Sequence, residues 1–251
     1  LMTYAIMECA LPALMWYPKL LRLGELLHKK SLRKAIKDPA LRTKLTPAYN
    51  VGCKRTLLSD DYFSTFNRSN VHLVTDDIQE ITPTGIRTVD GKEHELDILV
   101  YASGYDVGSP AFPYEITGLN ETNLNDYWGI QPKAYYGMNV SHFPNMLIIM
   151  GPNTGPGHTS VLVYQEAQYD YVAKYTKHLL KKRIRYLDLK ETVQNDQFQW
   201  FQDRMKNSSW LSGCTSWYLN EDGTNSAIWP GFSFEYVIRT KLLRRDVYNE
   251  V

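Results

Sequence analysis

The adjacent cations Lys54 and Arg55 are the first feature of the sequence that is suited to chemistry. They follow Cys53, directly after a turn-like segment at residues 47–52. An arginine is permanently charged and presents a rigid fork of N–H donors, which suits an anionic ligand group. The alternative is a surface ion pair, which contributes little to stability. The two cations therefore mark a candidate site that needs support from other features.

A glycine-rich loop, GPNTGPGHTS at residues 151–160, precedes a predicted helix. The free N–H groups and the positive end of such a helix suit an electron-rich or anionic ligand atom. The order Gly155-x-Gly157-x-x-Ser160 approaches the dinucleotide-binding fingerprint, but the third glycine is missing. The acidic residue expected at the tip of the next strand is missing as well. The loop is therefore weak evidence for a pyrophosphate site.

Small residues end an apolar segment, LDILVYASGYD at residues 96–106. In an open α/β sheet the ligand crevice lies beyond the carboxyl ends of the strands. There, Ala102, Ser103 and Gly104 would let a flat ligand or a crossing chain approach the backbone. A plain turn from a strand into a loop is the other interpretation, because small residues are common in turns.

The elements that must position these residues are predicted from the spacing of apolar side chains. The pattern of residues 1–50 predicts a helical segment with a basic face. A face exposed to solvent is the favoured interpretation, and contact with a membrane surface is the alternative. Strands are predicted at residues 70–76, 98–102 and 146–150, and a hairpin at 77–97 with its turn at Asp90-Gly91. Buried strands, a glycine-rich loop and a helix in succession indicate an α/β fold. The stripe that predicts the long helix after residue 160 consists of Val161, Tyr164, Gln168, Tyr171, Tyr175 and Leu179.

The composition narrows the class of protein. In 251 residues, 28 Lys and Arg residues balance 27 Asp and Glu residues, so no global field favours a nucleic-acid partner. The three cysteines form neither a C-x-x-C pair nor a metal-ligand spacing, which predicts reduced thiols, a cytoplasmic location and no structural metal. The apolar opening segment contains Glu8, Pro12 and Pro18, and predicts neither a membrane span nor a signal peptide. Leu1 is not an initiator methionine, so we expect a processed chain or a piece of a longer one.

Four segments, in the same order, resemble the class B flavin-dependent monooxygenases and in particular their Baeyer–Villiger branch. The family's segment with the active-site arginine and the following strand resembles GCKRTLLSDDYFSTFNRSNVHLVTD. Its D-x-x-V-x-A-T-G-[YF]-D linker between nucleotide domains resembles LDILVYASGYD, in which Ser103 replaces the usual threonine. Its flavin-side strand and G-P-N loop resemble FPNMLIIMGPNTGPGHTSV, and its C-terminal S-W-Y and W-P-G segments resemble GCTSWYLNEDGTNSAIWPG.

The resemblance implies a Rossmann-like α/β flavoprotein with two dinucleotide-binding domains, of which this chain would be the C-terminal part. Residues 1–50 would be a helical segment, 51–103 the C-terminal part of the NADP-binding domain, and 104–251 that of the FAD-binding domain. The family's glycine-rich motifs for FAD and NADP are not in the sequence. The implied activity is insertion of one oxygen atom into a ketone, or oxidation of nitrogen or sulfur, with NADPH and O₂.

The resemblance also assigns roles to single residues. Arg55 would be catalytic, because it would hold the negative charge that develops on oxygen in a site shielded from water. Lys54 would contact the 2′-phosphate of NADP. Trp217 would either close over the nicotinamide or be an ordinary buried tryptophan. The substrate pocket would include Val161. The flavin-side candidates are Gly104, Asp106, Asn153 and Ser160.

The implied partners are a small lipophilic substrate, O₂ and the missing N-terminal half of the same enzyme. A second hypothesis makes the chain a non-catalytic fragment or an interaction module, which keeps the core of the fold without a complete cofactor site. The predicted strands at 98–102 and 146–150 would lack sheet neighbours from the missing half and would expose apolar surface. We therefore expect the isolated chain to be inactive, to be poorly soluble or self-associating, and to bind FAD weakly or not at all.

Overall fold

A computed structural model describes residues 2–104 and 112–251, so Asp106 of the candidate site lies outside the described residues. The chain forms two units. The large unit comprises Leu1–Arg22, Tyr49–Thr56 and Val107–Val251, and the small unit comprises Leu23–Ala48 and Leu57–Asp106. The short segment with Lys54 and Arg55 therefore belongs to the large unit, although the chain on both sides of it belongs to the small one.

Three helices occupy most of the first 45 residues, as the sequence predicts: α1 (Met2–Met15), α2 (Leu21–Ala35) and α3 (Pro39–Leu45). Asp38 begins α3, because its side chain accepts a hydrogen bond from the Ala40 N–H at 2.9 Å. Pro39 occupies the first turn, where its missing N–H costs nothing. Among the helices in the described part of the chain, none is long and apolar enough to cross a membrane.

The small unit contains a three-stranded antiparallel sheet where the sequence predicts a hairpin. Its strands are β1 (Ile78–Thr82), β2 (Gly85–Thr88) and β3 (Glu93–Glu95), in the order β1-β2-β3. The predicted turn joins β2 to β3, and the Gly91 N–H donates to the Thr88 carbonyl at 2.9 Å. Gly91 has a φ of +81°, which glycine adopts without steric cost. A short helix, α4 (Tyr62–Thr65), precedes the sheet.

The strands predicted at residues 70–76 and 98–102 are not formed, so this part of the prediction is wrong. A strand needs a neighbour that pairs its backbone N–H and C=O groups. In the described residues, β1, β2 and β3 pair only with one another, and neither segment is paired with an edge of this sheet. The side chains of Ile98 and Val100 are each 80% exposed. The apolar pattern is present, but it has no partner within the described small unit.

Helices dominate the large unit, which contains α5 (Leu124–Trp128), α6 (Val161–Lys182), α7 (Glu191–Met205) and α8 (Ser233–Thr240). Ser160 begins α6, because its Oγ accepts a hydrogen bond from the Leu162 N–H at 3.3 Å. Two short antiparallel strands, β4 (Leu187–Leu189) and β5 (Tyr248–Glu250), form a second sheet. The fold is therefore a mixture of helix and sheet, as predicted.

The core of the large unit is built on the predicted stripe of α6. Four stripe residues are buried: Tyr164, Gln168, Tyr171 and Tyr175. The rings of Tyr164 and Tyr236 bring α6 against α8, with ring centroids 4.8 Å apart. Aromatic pairs at such distances add a directional contact to the apolar area that they bury. The predicted helix is confirmed, and so is most of its buried face, although Leu179 is only partly buried and Val161 is exposed.

Residues 146–150 pack into the large unit without forming the predicted strand. The Met150 N–H donates to Gln168 Oε1 at 2.9 Å, and Gln168 Nε2 donates to the Tyr236 hydroxyl at 2.8 Å. A buried side-chain amide thus takes the place of a neighbouring strand for one backbone group. The side chains of this segment that pack against the core clusters are Met146, Leu147, Ile148 and Met150.

Candidate active site

The loop at residues 49–56 presents Lys54 and Arg55 as exposed side chains of the large unit. Gly52 holds the loop close to the rest of the unit. Its φ is +87°, and a side chain at this position would collide with Leu14 and Ser209. Cys53, the next residue, is fully buried. The two cations therefore extend from an anchored turn.

A disulfide bond anchors the same loop to a distant part of the sequence. Cys53 pairs with Cys214, which is 161 residues away along the chain, and their Cα atoms are 6.2 Å apart. This pairing corrects the expectation of reduced thiols, because cysteines that meet only in the folded chain show no pattern in their spacing. Cys9 is free and exposed.

The charges of the two cations are not balanced by an ion pair in the described part of the chain. Within residues 2–104 and 112–251, neither Lys54 nor Arg55 forms one. The Lys54 Nζ lies 5.0 Å from the centre of the Tyr49 ring, a contact that leaves the ammonium charge available. Burial raises the pKa of Tyr218, and the positive charge of Arg55 opposes this rise. Among the described residues, Arg55 is thus a cation without an ion pair, and its positive charge acts on Tyr218.

Trp217 and Tyr218 lie in the segment that the disulfide joins to the Arg55 loop. Their ring centroids are 4.4 Å apart. Tyr218 is buried, but Trp217 is 48% exposed, so within this chain Trp217 is not an ordinary buried tryptophan. An exposed aromatic face can stack on a flat ring, and a cation on the linked segment can hold an anionic group.

The glycine-rich loop is held by the segment at residues 225–229. Asn153 is 1% exposed, and its Nδ2 donates to the carbonyls of Asn225 at 2.7 Å and Ile228 at 3.2 Å. The Gly155 N–H donates to the Ala227 carbonyl at 2.8 Å. The amide of Asn153 therefore shapes the loop from within, and we find no free Nδ2 there for a ligand.

The glycines of this loop permit the same close packing. A side chain at Gly155 would approach the Ala227 carbonyl to 2.6 Å, and one at Gly157 would collide with the Trp210 ring. Close packing within the chain therefore explains why glycine stands at these two positions. The loop needs no phosphate ligand to account for them, which agrees with its incomplete match to the phosphate-binding pattern. At the end of the loop, Ser160 and Val161 are exposed.

A buried carboxylate, which the sequence analysis did not select, holds the histidine of this loop. Glu8 Oε2 lies 3.0 Å from His158 Nε2, and Glu8 Oε1 accepts from the Ser233 N–H at 3.0 Å. Burial on its own raises the pKa of Glu8, but hydrogen bonds from Ser233, His158 and Tyr4 lower it below its ordinary value. The sequence did contain a signal for this contact: Glu8 is a single acidic residue in an apolar helix, and a buried acid needs a polar partner.

The Ser-Gly corner lies in the small unit. Gly104 has a φ of +77°, and a side chain built there would meet no atom within 4 Å. The glycine is therefore needed for the backbone conformation, and the space beside it is open. Within the described residues, no group of three or more His, Cys, Asp or Glu side chains is placed to hold a metal ion.

Comparison with known proteins gives the class to which these features belong. No family model matches the chain. A Baeyer–Villiger monooxygenase from Pseudomonas aeruginosa is 33% identical over 248 residues, which are 98% of this chain and 47% of that protein. One from Streptomyces coelicolor is 35% identical over 241 residues, which are 95% of this chain and 46% of that protein. A crystal structure of OTEMO in complex with FAD and NADP matches 95% of this chain and 46% of its own, with a TM-score of 0.86 and 25% identity.

The class that the chain resembles is that of the flavin-dependent monooxygenases. Within it, the chain is a homologue of the Baeyer–Villiger enzymes, as the resemblance predicts, and it fits their C-terminal half. The chain spans about half the length of the curated relatives that it matches.

Proposed function

We propose that this chain supplies the C-terminal half of a monooxygenase that uses FAD, NADPH and O₂ to insert one oxygen atom into a ketone, or to oxidise nitrogen or sulfur. The substrate is a small lipophilic molecule. The observation that carries the proposal is the cation Arg55, which has no ion pair among the described residues and lies in a loop that the Cys53–Cys214 disulfide joins to the segment of the exposed Trp217. It occurs in a chain that matches Baeyer–Villiger monooxygenases over nearly all of its length.

The residues of the chain contribute charge and orientation. FAD supplies the activation of oxygen and NADPH supplies the hydride, since a cofactor carries the difficult chemistry in such enzymes. Arg55 holds the negative charge that develops on oxygen during attack on a carbonyl, and it cannot lose its own proton at working pH. Trp217 would lie over the nicotinamide ring of NADPH. Val161, which is 43% exposed, would face the substrate.

The residues present fit both cofactors in part. Lys54 is exposed and has no ion pair among the described residues, which suits a point charge for the 2′-phosphate of NADP. On the FAD side, His158 Nδ1 is buried without a hydrogen-bond partner in the described residues, and it lies beside Ser160 at the start of α6. In this proposal residues 51–103 serve the NADP domain and residues 104–251 the FAD domain, with Gly104 and Asp106 at their junction and Asn153 shaping the flavin-side loop.

The N-terminal half of the same enzyme is the proposed partner of the chain. The exposed apolar side chains of the small unit support this partner, among them Leu57, Leu58, Ile98 and Val100. Large apolar side chains with such high exposure favour a binding surface. The length of the relatives, of which the chain covers less than half, supports it as well.

Replacement of the two cations in the full-length enzyme tests the proposal. Arg55→Ala should lower oxygenated product by about a hundredfold or more, because a preorganised charge is lost, while reduction of the flavin by NADPH continues. Product formation that survives Arg55→Ala would reject the catalytic role of Arg55. Lys54→Ala should raise the KM for NADPH much more than the KM for NADH, since only NADPH carries the 2′-phosphate. Equal changes for both nucleotides would reject the role of Lys54.

The hypothesis of a non-catalytic interaction module makes a different prediction. If the chain acts without cofactor, adding the N-terminal half should not create a flavin absorbance spectrum. We also propose a cytoplasmic location. Disulfides in that compartment are mostly transient or redox-sensing, so the Cys53–Cys214 bond would there be open to reduction.

A further inference from the structure

The disulfide joins two segments that carry proposed site residues. Arg55 follows Cys53 by two positions, and Trp217 follows Cys214 by three. Neither segment belongs to a helix or a strand, so no regular ladder of backbone hydrogen bonds fixes either cation or ring. The Cys53–Cys214 disulfide is therefore the cross-link that holds the Arg55 segment and the Trp217 segment together.

The positive charges of the Arg55 loop would favour movement away from its present position if the disulfide were absent. Lys54 and Arg55 are adjacent like charges, and neither has an ion pair among the described residues. On the other side of the bond, Tyr218 is buried against Trp217 and lies within the field of Arg55. Without the bond, the contact of Gly52 with Leu14 and Ser209 remains, but no bond joins residues 53–55 to the Trp217 segment.

We propose that Cys53 and Cys214 are positioning residues for the oxygenation reaction, and that reduction of their disulfide releases the Arg55 loop from the segment that carries Trp217 and Tyr218. This inference rests on the proposed function. Reduced enzyme still oxidises NADPH, because hydride transfer to the flavin does not need Arg55. It transfers less oxygen to the substrate, since the cation that stabilises charge on oxygen is displaced.

The redox step is a thiol–disulfide exchange with a dithiol reductant. One thiolate of the reductant attacks a sulfur of the bond and forms a mixed disulfide, and its second thiolate then displaces this bond. Two electrons and two protons pass to Cys53 and Cys214, which become thiols, and the reductant becomes a cyclic disulfide. Cys9 takes no part, because it is free and exposed.

The first experiment tests the bond in the chain itself. The purified 251-residue chain is alkylated with iodoacetamide in denaturant, with and without prior dithiothreitol, and analysed by intact mass and peptide mapping. We expect one alkylated cysteine, Cys9, without reductant, and alkylation of all three cysteines after reduction. Alkylated Cys53 and Cys214 in the unreduced chain would overturn the proposal.

The second experiment tests the positioning role in the full-length enzyme. Cys53→Ser, Cys214→Ser and the double variant are compared with Cys9→Ser as the matched control, and NADPH consumed, oxygenated product and hydrogen peroxide are measured together. We expect product per NADPH to fall about tenfold in the three bond variants, with a matching rise in peroxide. We expect NADPH consumption to stay within about twofold, and Cys9→Ser to match wild type.

Dithiothreitol provides a test that does not depend on the folding of a variant. It should lower product per NADPH in wild type and in Cys9→Ser, and have no further effect on the double variant. Unchanged product per NADPH in fully reduced wild type would overturn the positioning role alone. Oxidised wild type that yields no oxygenated product would overturn the proposed function, and the positioning role with it.

Discussion

Residues 98–102 and 146–150 are two apolar segments of similar composition, ILVYA and MLIIM, with different surroundings. In the small unit, the side chains of Ile98 and Val100 are each 80% exposed. In the large unit, every residue from 146 to 150 is at least partly buried, and Gln168 accepts a hydrogen bond from the Met150 N–H. The two segments differ in the partners that their units supply and hardly in hydrophobicity.

An apolar segment thus has a tendency to be buried, and polar side chains that satisfy its backbone groups determine where it is buried. The large unit contains its own anchors, such as Gln168 and Asn153, whose amides satisfy backbone groups of nearby segments. The small unit offers residues 98–102 no comparable anchor in its described part. Under the proposed function, that partner is the N-terminal half.

The largest effect should come from removing the anchor of the buried segment. Gln168→Ala leaves the Met150 N–H without an acceptor and removes the donor to the Tyr236 hydroxyl, which keeps its own hydrogen bond to the Tyr136 carbonyl. It should lower the free energy of unfolding by about 2–3 kcal/mol. Urea denaturation of the chain measures it. Gln199→Ala, at an exposed position of α7, is the matched control and should change the free energy by less than about 0.5 kcal/mol. Equal effects of the two variants would contradict the role of Gln168.

A smaller effect should distinguish two isoleucines, one in each segment. Ile148→Ala removes methyl groups that pack against the cluster around Phe143, and should lower the free energy of unfolding by about 1–2 kcal/mol, since the side chain is only partly buried. Ile98→Ala should change it by less than about 0.5 kcal/mol. If Ile98→Ala were as destabilising as Ile148→Ala, the claim that only residues 146–150 are packed within the chain would be contradicted.

The smallest effect concerns Glu8, which anchors the loop after residue 150 through His158. Because hydrogen bonds hold the pKa of folded Glu8 below its ordinary value, the ionised group stabilises the fold above the ordinary pKa. This contribution is lost as the pH falls through the lowered value. Unfolding midpoints between about pH 3 and pH 7 should therefore fall more steeply for wild type than for Glu8→Gln. Parallel curves would show that Glu8 has no such linkage.

The parts of the fold that depend on near neighbours in sequence were predictable. Helix α6 follows from the Ser160 cap and the stripe through Tyr171, and the turn between β2 and β3 follows from Asp90-Gly91. Predicted strands at 98–102 and 146–150 were wrong, because a strand also needs a neighbour that the local pattern does not specify.

The parts of the candidate site that depend on distant residues were not predictable. Cys53 and Cys214 are 161 residues apart, and Asn153 reaches a carbonyl 72 residues away. The importance of Lys54, Arg55 and Trp217 came from the resemblance to a family, and their roles remain proposals. The structure adds that Arg55 and the Trp217 segment share one covalent link.

Size-exclusion chromatography of the isolated chain, with absorbance recorded at the flavin bands, tests the central claim most directly. The claim is that this chain forms one side of a flavin site and needs the N-terminal half to complete it. Pyrophosphate binding needs a glycine-rich turn and helix that the glycines of residues 151–157 do not provide, because they serve packing within the chain. We predict a colourless, self-associating chain, since its apolar surface is uncovered. A yellow, monodisperse monomer would contradict the account.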